Sequence, residues 1–234
     1  MNGIVVSRKV EHAFFALISL AVFTTVFIGF KDSYFDAGLI FAHLPSLTVH
    51  IHGALFVSWI FLLIVQITLV ATGHTRWHRR VGVLGAFMAP LMVIAGTCTL
   101  VMAVRRNAVP RIPPTVFLAG DLLQLLFFSI FVVWGLRTRK EATMHKRLMV
   151  FATISILAPA VDRWPFSFMT SIFSTVAVLT IFPLAIAAYD LLSTRKIQRA
   201  TRWGLVLYAL MIALIFIIPA LGPWQRFTAW VLAV

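Results

Sequence analysis

The sequence predicts an all-α protein, a polytopic transmembrane helical bundle of about seven spans with its N-terminus in the cytoplasm. Three observations predict it. Of the 234 residues, 61% are hydrophobic and only 12% charged, and the mean hydropathy is +0.99. A soluble domain carries about 25% charged residues, and no soluble core of this length could bury so much apolar surface. The apolar residues also fall into runs of about 20, the length of a helix that crosses the hydrocarbon. Finally, the 20 Lys and Arg sit in short clusters between those runs. The length suits one compact domain, residues 1–234, with no room for a soluble domain beside it.

The elements follow in order. Span 1 runs over Val10–Phe30, behind Arg8 and Lys9. No small-x-small cleavage site follows it, so it reads as a retained span rather than a signal peptide. Lys31–Thr48 is a loop whose apolar piece, Gly38–Ala42, suits a half-helix at the surface, and Pro45-Ser46 is a start signal for span 2. Span 2 is Gly53–Gly73, and the tight turn His74–Arg80 leads to span 3, Val81–Val104, with a kink expected at Pro90. Arg105–Pro114, with three arginines and three prolines, does not suit the membrane. Span 4 is Thr115–Leu136, and Arg137–Arg147 is the most basic loop of the chain. Span 5 begins near Leu148 and is ended or broken by Asp162-Arg163-Trp164-Pro165. Span 6 is Phe168–Leu191, Ser193–Arg202 is a basic loop, and span 7 is Trp203–Leu221. The tail, Gly222–Val234, carries Trp224 and Trp230 and suits an interface.

Charge sets the expected orientation. With the N-terminus inside, the clusters at Arg8–Lys9, Arg76–Arg80, Arg137–Arg147 and Arg195–Arg202 place 14 of the Lys and Arg in the cytoplasm and leave 6 outside. That bias follows the positive-inside rule and points to a bacterial cytoplasmic (inner) membrane; the three arginines of Arg105–Arg111 run against it. The same basic loops attract anionic lipid headgroups. The net charge of +13 does not indicate nucleic acid, because the basic residues share no exposed face and no nucleic-acid motif is present. The single cysteine, Cys98, excludes an intrachain disulfide and a Cys-rich zinc site. Inside an apolar run, it is expected to be a small packing residue.

A faint repeat is visible. Gly73, then His78-Arg79-Arg80, then Ala89-Pro90 parallels Gly135, then His145-Lys146-Arg147, then Ala158-Pro159. A duplicated hairpin would give this pattern, and so would the chance likeness of basic turns and apolar helices.

The histidines divide by side. His43, His50 and His52 fall outside; His12, His74, His78 and His145 fall inside. His50 and His52 are separated by about 200° on a helix, so both could serve one ion only if the chain there were extended or turning. His52, Trp59 and Gln66 recur at steps of seven and form one stripe along span 2. Polar groups in hydrocarbon are costly, so that stripe should face protein. Asp121 and Gln124 share a face of span 4. A carboxyl at that depth must be neutral, paired or wet, and His52, Arg163 and Arg111 are candidate partners. Asp162 and Arg163 add charge at a similar level. Together His50, His52, Asp121, Asp162 and Arg163 could line one outward-facing pocket, supported by Trp59, Gln66 and Gln124. Plainer readings stand beside these. His50 and His78 suit interfacial or capping roles, and Arg79, Arg80, Lys146 and Arg147 suit topology determinants. Asp162-Arg163 suits a structural ion pair and Trp59 a packing residue.

Two cofactor readings compete. A b-type haem in a helical bundle is held by neutral imidazoles from different helices. The inner set offers His78 and His145 at matching depths; the outer set offers His50 and His52 without a certain histidine on a second helix. Alternatively, His50 and His52 with Asp121 form a nitrogen and oxygen set suited to zinc, copper or another transition metal such as iron. The leading functional reading is therefore a histidine-based haem- or metal-binding, redox-type membrane protein. The alternatives are a non-catalytic assembly protein, with a membrane-protein partner or as a homo-oligomer, and a small-ligand binder or transporter.

The pattern His50-x-His52-Gly53, Trp59, Gln66, Gly73, His78-Arg79-Arg80-x-Gly82, then His145-Lys146-Arg147-Leu148-Met149 and Arg163 resembles a group of uncharacterised bacterial multi-span membrane proteins. The resemblance runs from Phe15 to about Pro165. It implies an inner-membrane helical bundle and brings no activity. A looser likeness to membrane cytochromes b rests on histidines near both faces; from that pattern the chain departs in placing its histidines at span ends and in lacking a paired outer ligand.

Overall fold

The structure, a computed structural model, describes residues 8–36, 46–108 and 112–233. These residues form nine α-helices: α1 (Arg8–Phe30), α2 (Leu47–Ala71), α3 (Thr75–Arg105), α4 (Pro114–Arg137), α5 (Ala142–Ser155), α6 (Ala158–Val161), α7 (Ile172–Thr194), α8 (Arg199–Ile217) and α9 (Gly222–Ala233). A π-helical turn, Lys31–Phe35, extends α1, and a 3-10 turn, Ile218–Ala220, extends α8. Six of them are long and apolar enough to cross a membrane: α1, α2, α3, α4, α7 and α8 with their extensions. The all-α, multi-span expectation holds at that level. The count of about seven continuous spans does not, because the fifth is replaced by a helix of 14 residues and one of 4.

Local chemistry explains most boundaries. Ser46 caps α2, its hydroxyl accepting from the Val49 N–H at 3.4 Å; the helix starts at the expected signal, one turn before His50 and ahead of the apolar run from Gly53. Gly73, at φ +80°, closes the α2–α3 hairpin in a conformation that side-chain-bearing residues rarely adopt. α3 then starts at Thr75, so His78, Arg79 and Arg80 lie in its first turns and not in a loop. Pro114 opens α4, where its missing N–H costs nothing. Ser171 and Ser174 form a reciprocal capping box that starts α7 at Ile172, four residues later than expected.

The break after α5 falls earlier than the expected Asp162–Pro165. Pro159 has no N–H for the carbonyl of Ser155, and its ring crowds that carbonyl; α5 ends at Ser155, and α6 takes Pro159 into its first turn. Pro90 and Pro183 leave α3 and α7 continuous, so proline alone does not end a helix here. After Pro159 come Asp162, Arg163 and Pro165, which give an apolar helix nothing to continue into.

Packing places α5 in the middle. α4, α5 and α8 pack on one another, α2 and α3 join the group through α4, and α1 lies between α2 and α6. α7 leans on α5, α6 and α8, and α9 covers α4 and α3. Leu148, Val150, Phe151, Ala152, Ile154 and Leu157 of the α5 segment are all buried, whereas α2 buries only Trp59, Ile60 and Leu63. Two close approaches fix α5 and α6: a Cβ on Gly204 would overlap the Phe151 ring, and one on Gly29 would overlap the Ala160 carbonyl. The tail forms α9 and is tied to the bundle. Trp224 Nε1 donates to the Thr115 carbonyl at 2.9 Å, and Arg105 Nε donates to the Val231 carbonyl at 2.9 Å. Cys98, expected to pack inside, is exposed on α3. The segment Gly38–Ala42, His43 and Arg111 lie outside the described residues.

Candidate functional site

The polar side chains gather at the two ends of the bundle. At the basic end meet the starts of α1, α3, α5 and α8 and the ends of α2, α4 and α7. His78 and His145 both lie there, each the fourth residue of its helix, and their ring centres are 6.2 Å apart with planes at 84°. His145 Nδ1 lies 2.8 Å from the carbonyl oxygen of Gly135. A carbonyl only accepts, so Nδ1 carries a proton. His78 Nδ1 is buried with no hydrogen-bond partner. Both amide atoms of Gln66, the last residue of the inward stripe of α2, are also buried and unpartnered. Gln66 faces Gly82, one turn along α3 from His78, where a Cβ would lie 3.7 Å from its amide nitrogen. The two histidines read from the sequence as an inner pair are therefore brought together, and Gln66 joins them.

The same end holds a network that the sequence reading missed. Asp190 of α7 is fully buried, and so is Arg147 of α5, 2% exposed. Asp190 Oδ1 accepts from Arg147 Nη2 at 2.5 Å and Nε at 3.2 Å. Its Oδ2 accepts from Thr201 Oγ1 at 2.5 Å and from the Gln198 backbone N–H at 3.0 Å. Arg147 also donates to the Thr143 carbonyl at 3.3 Å, and Glu11 pairs with Lys146 and lies 3.9 Å from Arg147. Arg147 is thus a buried ion-pair partner. The available signal was Asp190 itself, a carboxylate inside the run read as span 6, which requires a partner.

At the opposite end the expected pocket is looser. Trp59 does turn inward: it is 2% exposed, donates Nε1–H to Thr153 Oγ1 at 3.1 Å and meets Phe128 edge to face. His52 stacks near Phe56, with ring centres 4.2 Å apart, and its Nδ1 is buried without a partner. Asp121 and Gln124 share a face as expected, the amide of Gln124 donating to Asp121 Oδ1 at 2.9 Å and leaving its own Oε1 unpartnered. No hydrogen bond or ion pair joins Asp121 to His52 among the described residues. Nor do Asp162 and Arg163 form the expected ion pair. Asp162 accepts from the Thr175 hydroxyl, while Arg163 donates to the Pro159 carbonyl at 2.5 Å and lies over the Phe30 ring at 5.0 Å. The helix runs unbroken through His50 and His52, so the two rings leave it about 200° apart. Among the described residues no three His, Cys, Asp or Glu side chains form a group that could hold a metal ion, so the structure does not gather His50, His52 and Asp121 into one.

Compared with protein-family models, with curated proteins and with solved structures, the chain matches none. The likeness drawn from the His50–Gly53 and His78–Gly82 patterns is thus not carried to any family. The protein is an integral, multi-pass helical membrane protein.

Proposed function

We propose that the chain is a cofactor-holding membrane protein whose basic end binds a metal-centred group between His78 and His145, with haem b the best fit. The observation that carries this reading is the 6.2 Å separation of the two rings. Two imidazoles bonded to one metal at about 2 Å each place their ring centres about 6 Å apart. The orphaned Nδ1 of His78 and the unpartnered amide of Gln66 are a second support, since buried polar atoms are normally satisfied. A haem needs only two protein ligands, which agrees with a cluster too small for an all-protein metal site. Haem b bound there would supply one-electron redox chemistry. The chain's own part is to hold the ligands: the Gly135 carbonyl fixes the tautomer and orientation of His145, as carbonyl partners do for ligand histidines generally.

The test is spectroscopic. Purified in detergent from cells supplied with a haem precursor, the protein should show a Soret band that shifts on reduction, with one haem per chain. His78→Ala and His145→Ala should each abolish it. A colourless, metal-free preparation, or a band that survives both variants, overturns the reading; a colourless protein that co-purifies with another membrane protein would favour an assembly role.

A further inference from the structure

The first turns of α8 carry a feature that the paired histidines do not use. Arg199, Arg202, Trp203 and Val206 line a surface groove of about 370 Å³. All four are exposed, Trp203 at 47% and Val206 at 56%. Arg199, Arg202 and Val206 share one face by helical spacing, and exposed Leu210 continues it a turn further on. Along the helix axis the order is guanidinium, indole, aliphatic. Trp203 is backed by Trp134 of α4, ring centres 6.3 Å apart, which fixes the indole at the depth where charge gives way to apolar surface. Neither arginine forms an ion pair among the described residues, and the nearest buried carboxylate, Asp190, is already saturated by four donors.

We propose that this groove is a binding site for one acidic phospholipid. The phosphate sits between Arg199 and Arg202, the glycerol backbone lies against Trp203, and an acyl chain runs down Val206 and Leu210. Charge complementarity selects the occupant: two unpaired guanidiniums suit a phosphate bidentately. The polar-to-apolar order along one helix face matches a lipid lying parallel to it, not a soluble anion or an acidic peptide. Tryptophan at the junction is the usual interfacial anchor.

Native mass spectrometry of the detergent-purified full chain tests this with phosphatidylglycerol and phosphatidylcholine as probes. Phosphatidylglycerol should remain bound where phosphatidylcholine does not. Each arginine near a lipid surface contributes about a fivefold affinity gain, so Arg199→Gln with Arg202→Gln should weaken retention roughly thirtyfold. Arg8→Gln with Lys9→Gln, an exposed basic pair on α1, should leave it unchanged. The proposal is overturned if the α8 double variant, shown by thermal melting to be folded, retains phosphatidylglycerol like the parent chain, if the α1 control loses it equally, or if excess inorganic phosphate displaces the lipid. If the α8 double variant does not fold, Trp203→Ala takes its place, with the same loss expected and full retention overturning the site.

Discussion

Asp190 and Asp121 are both carboxyl groups inside apolar helices, and they are treated in opposite ways. Asp190 receives four hydrogen bonds from three elements: α5, α8 and the turn before α8. Among the described residues Asp121 receives one, from Gln124 on its own helix. The first carboxylate ties helices together, and removing any partner leaves a charge stranded in a low-dielectric interior, where buried charges must be paired. Among the described residues the second holds nothing across helices. A buried acid in a membrane protein is therefore not in itself a sign of a ligand site: the saturated one is architectural, and unspent hydrogen-bonding capacity marks where a ligand could be received. By that criterion the basic end combines a finished lock around Asp190 with unfinished groups at Gln66 and His78, and the opposite end leaves His52 and Gln124 unfinished as well.

Substitutions test the contrast. The largest effect is expected for Asp190→Ala, which strands Arg147; truncating one partner of a buried ion pair costs about 3–5 kcal/mol. Reversible unfolding in mixed detergent and dodecyl sulfate micelles would read it, and a loss under about 1 kcal/mol would mean that Arg147 finds water or another partner. Thr201→Val removes one of the four donors while keeping the side-chain volume, and should cost about 1 kcal/mol in the same assay. Asp121→Asn should be smallest, within about 0.5 kcal/mol, because the amide oxygen can accept the same bond from Gln124. A cost for Asp121→Asn equal to that of Asp190→Ala would erase the distinction between the two acids.

The sequence made some of this legible and hid the rest for identifiable reasons. Hydropathy located six helices well, because lipid demands uninterrupted apolar runs. The Ser46 cap, the inward stripe through Trp59 and the shared face of Asp121 and Gln124 followed from helical geometry. Which apolar residues face protein did not follow. Phe128 is fully buried and Phe87 is 68% exposed, yet lipid tails are as apolar as a helix interface, so hydrophobicity does not separate them. The centrality of α5 was hidden for the same reason, and the neighbouring Lys146 and Arg147 looked alike in the sequence although only Arg147 is deeply buried. The meeting of His78 and His145 was legible from their equal place in two basic-turn hairpins; the participation of Gln66 was not, since its stripe was read as belonging to the other end.

The short α5 also bears on the order in which the chain can be assembled. A helix of 14 residues is about 21 Å long, short of the roughly 30 Å of hydrocarbon. Inserted alone, it would leave its broken end at Ile156–Leu157 and buried Arg147 facing lipid. One wall, α4, is already made, but α7 and α8 come after it; Glu11, 3.9 Å from Arg147, precedes it, whereas the fully buried counter-charge arrives only with Asp190. Synthesis of the α5 segment therefore precedes its stable burial by at least some 30 residues. In that interval it depends on whatever else shelters a nascent helix.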